Sequence, residues 1–189
     1  MMRRRFLGLC GKAAVATLLP VPSLAGLMAG DAAAGDGRVG VAPIGSLNLL
    51  NVHTGERLVC TYREQGRLLP DALAAIDHLL RDHRTDEMRP IDPALLDLMA
   101  SLAGRLESTR PFRVFSGYRA PQTNEMLRRH SDGVAKRSYH MQGMAVDIEL
   151  SGRTARQLQA AALAERAGGV GYYPRSGFVH VDTGPIRSW

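Results

Sequence analysis

Alternation of apolar and polar residues is sharpest towards the carboxyl end. In "MAVDIE", Met144, Val146 and Ile148 share one face of a strand, while Ala145, Asp147 and Glu149 share the other. "FVHVD" repeats the pattern, with Val179 and Val181 pointing one way and Phe178, His180 and Asp182 the other. A further short strand runs from Phe112 to Phe115 and ends in a Ser-Gly turn. Upstream, "LNLLNVHTGERLVCTY" has two apolar runs joined by "HTGE", the signature of a hairpin. The period then changes to that of a helix. Leu73, Ile76, Leu79 and Leu80 fall on one face of a segment with Asp71 as its cap. Asp92 and Pro93 open a second helix, lined by Leu95, Leu96, Met99, Leu102 and Leu106. A short polar helix is expected around Asn124 to Arg129, and "TARQLQAAALAERAGG" reads as a helix ending on a glycine pair. "VGYYPRSGFVHVDTG" reads as a second hairpin. Helices and hairpins without βαβ alternation predict a single α+β domain, with a central antiparallel sheet packed by helices.

The first residues do not fit that domain. Arg3, Arg4 and Arg5 precede Phe6-Leu7 and an apolar run from Ala13 to Leu19, with small residues at Ser23-Leu24-Ala25 and again at Ala32 to Ala34. This is the layout of an export signal, of twin-arginine type, with cleavage after Ala25 or Ala34. Lys12, Pro20 and Pro22 interrupt the apolar stretch, which is too short to span a bilayer comfortably. The expected organisation is a signal region at 1–34, a linker at 35–45 and one exported domain at 46–189. The formal charge of the whole chain is +6. A leader cut after Ala25 removes four basic residues and no acidic ones, so the exported chain is close to neutral. Basicity therefore gives no reason to expect a nucleic-acid partner. Cys10 leaves with the leader and Cys60 stands alone, which excludes an intrachain disulfide and a cysteine-based zinc site. Cys60, in "RLVCTYRE", is expected to act as a small core hydrophobe.

Asp147 is the residue that needs explaining. A carboxylate among Met, Ala, Val and Ile is costly unless an ion pair, hydrogen bonds or a metal compensates its charge. If the two alternating strands are neighbours, Asp147 and His180 lie on one sheet face, and His140 can close over them from the preceding loop. Two imidazoles and a carboxylate form a standard zinc set with one position left for water. On spacing alone the alternative stays open: satisfied structural histidines, with Asp147 paired to one of the many arginines.

"SYHMQGMAVD" matches the Ser-x-His-x-x-Gly-x-Ala-x-Asp signature of the LAS group of zinc peptidases, which includes D-Ala-D-Ala carboxypeptidases and dipeptidases, a murein endopeptidase and the hedgehog domain. "FSGYRAPQTN" matches the segment upstream of that signature, and "FVHVD" the strand of the third ligand. With "NVHTGE", "GVAKRSYH", "AGGVGYYPRSGFVHVDTG" and the terminal "RSW", the chain most resembles the MepK-like branch of exported murein endopeptidases along nearly its whole length. The resemblance implies one zinc ion held by His140, Asp147 and His180. It makes Arg119 the residue that holds the carbonyl oxygen of the scissile bond, against the plainer reading of a surface ion pair. It implies peptidoglycan as the partner and an L,D-endopeptidase acting between two diaminopimelate residues. A zinc-containing wall-binding module without turnover and a carboxypeptidase acting on free stem peptides are the alternatives.

The general base departs from the pattern. Relatives place a glutamate three positions, or a histidine two positions, before the last ligand; this chain has Gly177 and Phe178 there. Asp182 is the nearest acid, either as the base or as the group that orients the His180 ring. Ser138 is expected near the first ligand, and Tyr118 and Asn124 along the substrate groove. His130 reads as solvated, His53 as part of the hairpin turn, and His78 and His83 as residues of the first helix. Trp189 reads as a packing plug.

Overall fold

The alternating segments all fall in one sheet. The computed structural model describes residues 45–131 and 133–189. The expected signal at 1–34, with Cys10, and the linker up to residue 44 lie outside the described residues. Among the described residues, the strands are β1 (Gly45–Asn51), β2 (Arg57–Glu64), β3 (Arg67–Leu68), β4 (Phe112–Ser116), β5 (Ala145–Leu150), β6 (Gly169–Tyr173), β7 (Phe178–Asp182) and β8 (Arg187–Ser188). Their order across the sheet is β3-β2-β1-β4-β5-β7-β6-β8. The helices are α1 (Pro70–Leu79), α2 (Pro93–Arg105), α3 (Pro121–His130) and α4 (Ala155–Glu165).

The α+β expectation holds, and most pairings are antiparallel. Two are parallel, β1 with β4 and β6 with β8, so the sheet is mixed. The first has a clear cause. Between β1 and β4 the chain makes a hairpin and two helices, and a connection that long can return a strand in the same direction.

One face of the sheet carries the core. Leu47, Leu49, Phe112, Val114, Val146, Ile148, Val170, Val179 and Val181 pack with Leu95, Leu96, Met99 and Leu102 of α2 and Leu158 of α4. Each such side chain contributes about 1.5–3 kcal/mol by leaving water. The other face is left for polar chemistry.

Helix ends follow the expected caps only in part. Asp92 accepts from Ala94 N–H and caps α2 as predicted, and Thr154 with Gln157 forms a capping box on α4. Asp71 is not a cap: Pro70 takes the first helical position, Leu69 precedes it, and Asp71 sits in the first turn, favourably placed against the helix dipole. Arg166, with φ 52°, closes α4 ahead of the glycine pair. His83 lies beyond the end of α1 and its ring stacks on His53 at 3.8 Å. Cys60 is half-buried against the core rather than inside it, and burial pushes its thiol pKa up.

Candidate metal centre and its cleft

Register settles the first question. β5 and β7 pair antiparallel with Asp147 opposite His180, so both side chains stand on the polar face. His140 comes from a 3₁₀ turn, Tyr139–Gln142, which Gly143 ends in the left-handed conformation at φ 72°. All three residues are buried, and their donor atoms converge. His140 Nε2 lies 3.2 Å from His180 Nδ1, His180 Nδ1 lies 2.9 Å from Asp147 Oδ1, and His140 Nε2 lies 3.3 Å from the same oxygen.

The outer hydrogen bonds fix which ring nitrogens face inwards. Gly117 O can only accept, so the 2.8 Å contact puts a proton on His140 Nδ1 and leaves Nε2 for the centre. Asp182 Oδ2 lies 2.9 Å from His180 Nε2, which assigns that proton likewise and turns Nδ1 inwards. The triangle fits a small cation. With bonds of about 2.0–2.1 Å, tetrahedral donors stand about 3.3–3.4 Å apart, close to the three separations seen here. Two imidazole nitrogens and a carboxylate also match zinc chemically.

Electrostatics favour the same assignment. Burial would raise the Asp147 pKa, but His140 and His180 outweigh it and hold the carboxyl well below the usual range. Burial lowers His140, which stays neutral. For His180, burial also acts downwards, yet hydrogen bonds to Asp147 and Asp182 push its pKa up to about 9 in the metal-free protein. A neutral imidazole, an ionised carboxylate and an imidazole holding a displaceable proton make a ready cation site.

Asp182 is not placed for general-base work. It is 0 % exposed, and it accepts from Gly169 N–H and Gly184 N–H, from both terminal nitrogens of Arg187, and from His180. Burial is outweighed by these donors, which hold its pKa well below the usual carboxylate range. A fully engaged, weakly basic carboxylate behind the imidazole orients the ring. Of the two roles that the sequence leaves open for Asp182, base or orienting acid, these contacts support the second.

Arg119 lies beside the triangle. Its Nη2 is 3.5 Å from Asp147 Oδ2 and donates to Ser116 Oγ at 3.2 Å, and its Nη1 donates to Asn124 Oδ1 at 3.4 Å. Its side chain is only 11 % exposed, which replaces the surface-pair reading. Ser116 faces the site because of a bulge. Between Val114 and Ser116 the register against β5 shifts, so Ser116 stands opposite Asp147 instead of in the core. Asn124 is buried on α3, and its Nδ2 donates to Ala135 O, so it braces Arg119 and the neighbouring loop rather than lining a groove. Tyr118 packs in the core, 7 % exposed, with its N–H on Leu80 O; it is not among the cleft-lining residues, a correction to the groove expectation. Ser138 is buried at the start of the 3₁₀ turn and lines the cleft without capping that turn.

These residues line a cleft of about 790 Å³. Its wall includes Tyr173, Phe178 and Trp189, with the Tyr173 and Phe178 rings stacked at 4.8 Å. Trp189 Nε1–H donates to Tyr173 Oη at 2.9 Å. Among the described cleft-lining residues, Asp147 carries the only side-chain carboxylate. His53, His78 and His83 do not line it, and His130 is exposed at the end of α3.

A family model described as peptidoglycan L,D-endopeptidase MepK matches residues 41–189. The chain belongs to that family. It is 42 % identical over 187 residues, 99 % of this chain and 96 % of the relative, to the peptidoglycan L,D-endopeptidase MepK of Escherichia coli strain K12. The figures are the same for the protein of that name from Shigella flexneri. A Haemophilus influenzae protein named as a probable peptidoglycan L,D-endopeptidase MepK is 41 % identical over 144 residues, 76 % of this chain and 77 % of its own length.

In this member of the MepK family, sequence reasoning missed Ser116, Tyr139, Tyr173 and Arg187. Trp189 is half-exposed on the cleft rather than a buried plug, although one side does pack against His180, ring centroids 5.3 Å apart. The terminal "RSW" was the available signal, but nothing in its pattern says that it returns to the sheet. Among the described residues, no helix is long and apolar enough to cross a membrane.

Proposed function

We propose that this chain is an exported zinc peptidase that hydrolyses peptide cross-links of peptidoglycan. One observation carries the reading: three donors from two paired strands and a facing turn form a near-tetrahedral face on an open cleft, with a fixed guanidinium beside them. His140, Asp147 and His180 would hold the zinc. When bound, zinc supplies a Lewis acid and makes a water nucleophile available near neutral pH. The chain's own residues do the rest. Asp182 keeps the proton of His180 on Nε2, and Gly117 O keeps that of His140 on Nδ1, so both rings present a lone pair. Ser116 and Asn124 hold the Arg119 guanidinium where it can take up charge developing on the carbonyl oxygen of the bond being cut. Tyr173, Phe178 and Trp189 supply an apolar wall along which a peptide stem can lie.

Relatives named as peptidoglycan L,D-endopeptidases support an L,D-endopeptidase, and the finer assignment, cleavage between two diaminopimelate residues, follows the sequence resemblance. Export to the periplasm by a twin-arginine-type signal at residues 1–34 suits a wall substrate. Digestion of purified sacculi, with fragments read by mass spectrometry, tests the reading. Zinc-loaded protein should release stems once joined through two diaminopimelates. Intact cross-links across a range of pH would contradict it.

One observation favours a wall-binding module without turnover. Gly177 stands in open space at the position where the resemblance to the LAS dipeptidases calls for a glutamate, and Asp147 is the only side-chain carboxylate among the described cleft-lining residues. Wild type and His180→Ala both retaining sacculus binding, with no turnover in either, would favour that module.

A further inference from the structure

The last three residues reach back to the site by a route that the ligand set does not require. β8 is two residues long and lies at the sheet edge beside β6. Its neighbourhood is held by Tyr172 N–H to Trp189 O at 3.0 Å and Trp189 N–H to Val170 O at 3.2 Å. So short an edge strand has little backbone pairing to secure it. The side chains do more. Arg187 donates from Nη1 to Asp182 Oδ1 at 3.1 Å and from Nη2 to Asp182 Oδ2 at 2.6 Å, the oxygen that also fixes His180. Its guanidinium carbon lies 5.2 Å from the Tyr139 ring centroid and 5.0 Å from that of Trp189. Tyr139 adjoins His140 in the chain, and Trp189 packs on His180. A single stack, Tyr139–Arg187–Trp189, thus bridges the two segments that carry the imidazoles.

Three residues without side chains make room for it. A Cβ at Gly169 would stand 2.5 Å from Arg187 Nη1, one at Gly171 2.6 Å from Trp189 Cε2, and one at Gly184 2.5 Å from Tyr139 ring carbons. No local turn geometry accounts for that set, since none of the three has a positive φ. What they share is the stack.

We propose that the carboxyl-terminal segment Arg187–Trp189 is a clamp that positions His180 and His140 for the metal, with Arg187 as its positioning residue. The inference rests on the zinc reading above. The planar fork of the guanidinium sets the plane of the Asp182 carboxylate, and that carboxylate sets the tilt of the His180 ring and the direction of Nδ1. Tyr139, under the same guanidinium, ties the His140 turn to the strand that bears His180. Lysine would keep the charge but lose both the fork and the stacking.

The test uses full-length wild type, Arg187→Ala and Arg187→Lys, stripped of metal, checked for folding by circular dichroism and titrated with zinc against a chromophoric chelator. Each is also loaded with cobalt(II) and its visible spectrum recorded. The clamp predicts a folded Arg187→Ala that binds zinc about 10–100-fold more weakly, the usual consequence of losing support behind a ligand. Its cobalt bands should shift, and Arg187→Lys should recover only part of both effects. Trp189→Ala, at a half-exposed terminal residue, should move both readouts the same way by a smaller factor, and it carries the test if Arg187→Ala does not fold. Zinc affinity within about twofold of wild type, together with an unchanged cobalt spectrum, would overturn the clamp, because ligand support of this kind is worth more. In that case wild type still binds zinc and the peptidase reading stands. A wild type that takes up no zinc overturns the metal reading itself, and the clamp with it.

Discussion

Two arginine–aspartate forks stand at opposite ends of the sheet. At the β2 end, Arg63 donates from Nε and Nη2 to Asp97 of α2 at 3.1 and 2.7 Å, and Tyr62 Oη–H donates to the same carboxylate at 2.8 Å. At the β8 end, Arg187 also grips its aspartate at two points, but end-on, from Nη1 and Nη2 to Asp182. The chemistry is shared and the surroundings are not. The Asp97 side chain is 46 % exposed, whereas Asp182 is fully buried with the His180 imidazole behind it. Water can replace Arg63 on Asp97, and an exposed pair of this kind contributes little. Nothing can replace the partners of Asp182 without leaving a buried charge uncompensated. Burial, together with what the carboxylate holds in turn, separates a surface tie from a site component.

Breaking the buried end should cost most. Asp182→Ala removes a buried charge partner and frees the His180 ring, so the metal-free protein should lose about 3–5 kcal/mol in urea unfolding. Zinc binding by chelator competition should weaken about 10–100-fold in the same variant. Arg119→Ala sharpens the contrast between holding a ligand and acting on substrate. It should lower kcat on isolated cross-linked fragments by about 10²–10³-fold while zinc is retained.

A pH titration probes the buried end. The His180 pKa, about 9 in the metal-free fold, exceeds the value near 6.5 of an unfolded chain. Its contribution to metal-free stability is therefore full below about 6.5 and is lost as pH rises through about 9. A cation held at this site would require His180 Nδ1 to give up that proton. Affinity should climb about tenfold per pH unit in this window and level off above it, with roughly one proton released per zinc by calorimetry in paired buffers. The smallest effect belongs to the exposed end. Arg63→Ala should leave zinc affinity and cleavage at wild-type values and barely move the thermal midpoint.

The sequence discloses the two ends unevenly. Period-two alternation is local, so it assigns Asp147 and His180 to the polar faces of their strands before any pairing is known. Their adjacency is a property of register, which emerges only when β5 and β7 meet. The bulge that turns Ser116 towards Asp147 leaves no alternating trace, because it breaks the alternation. Tyr118 sits in "SGYR" beside Arg119 but points into the core, since the chain leaves the strand at Gly117 and adjacent side chains diverge. Asp71 lost the capping role to the fixed φ of Pro70. Arg187 and Trp189 were the least legible. A two-residue edge strand has no period to read, and its place depends on Gly169 and Gly171, each 18 positions before the side chain it makes room for.

The central claim is that His140, Asp147 and His180 close on one divalent cation. Metal analysis of folded, zinc-exposed and desalted protein tests it most directly, with Asp147→Ala measured alongside. About one zinc per chain in wild type, and none in a folded Asp147→Ala, is the predicted result for a three-ligand site with an open position. Folded wild type that carries no zinc, or an Asp147→Ala variant that carries as much as wild type, would contradict it.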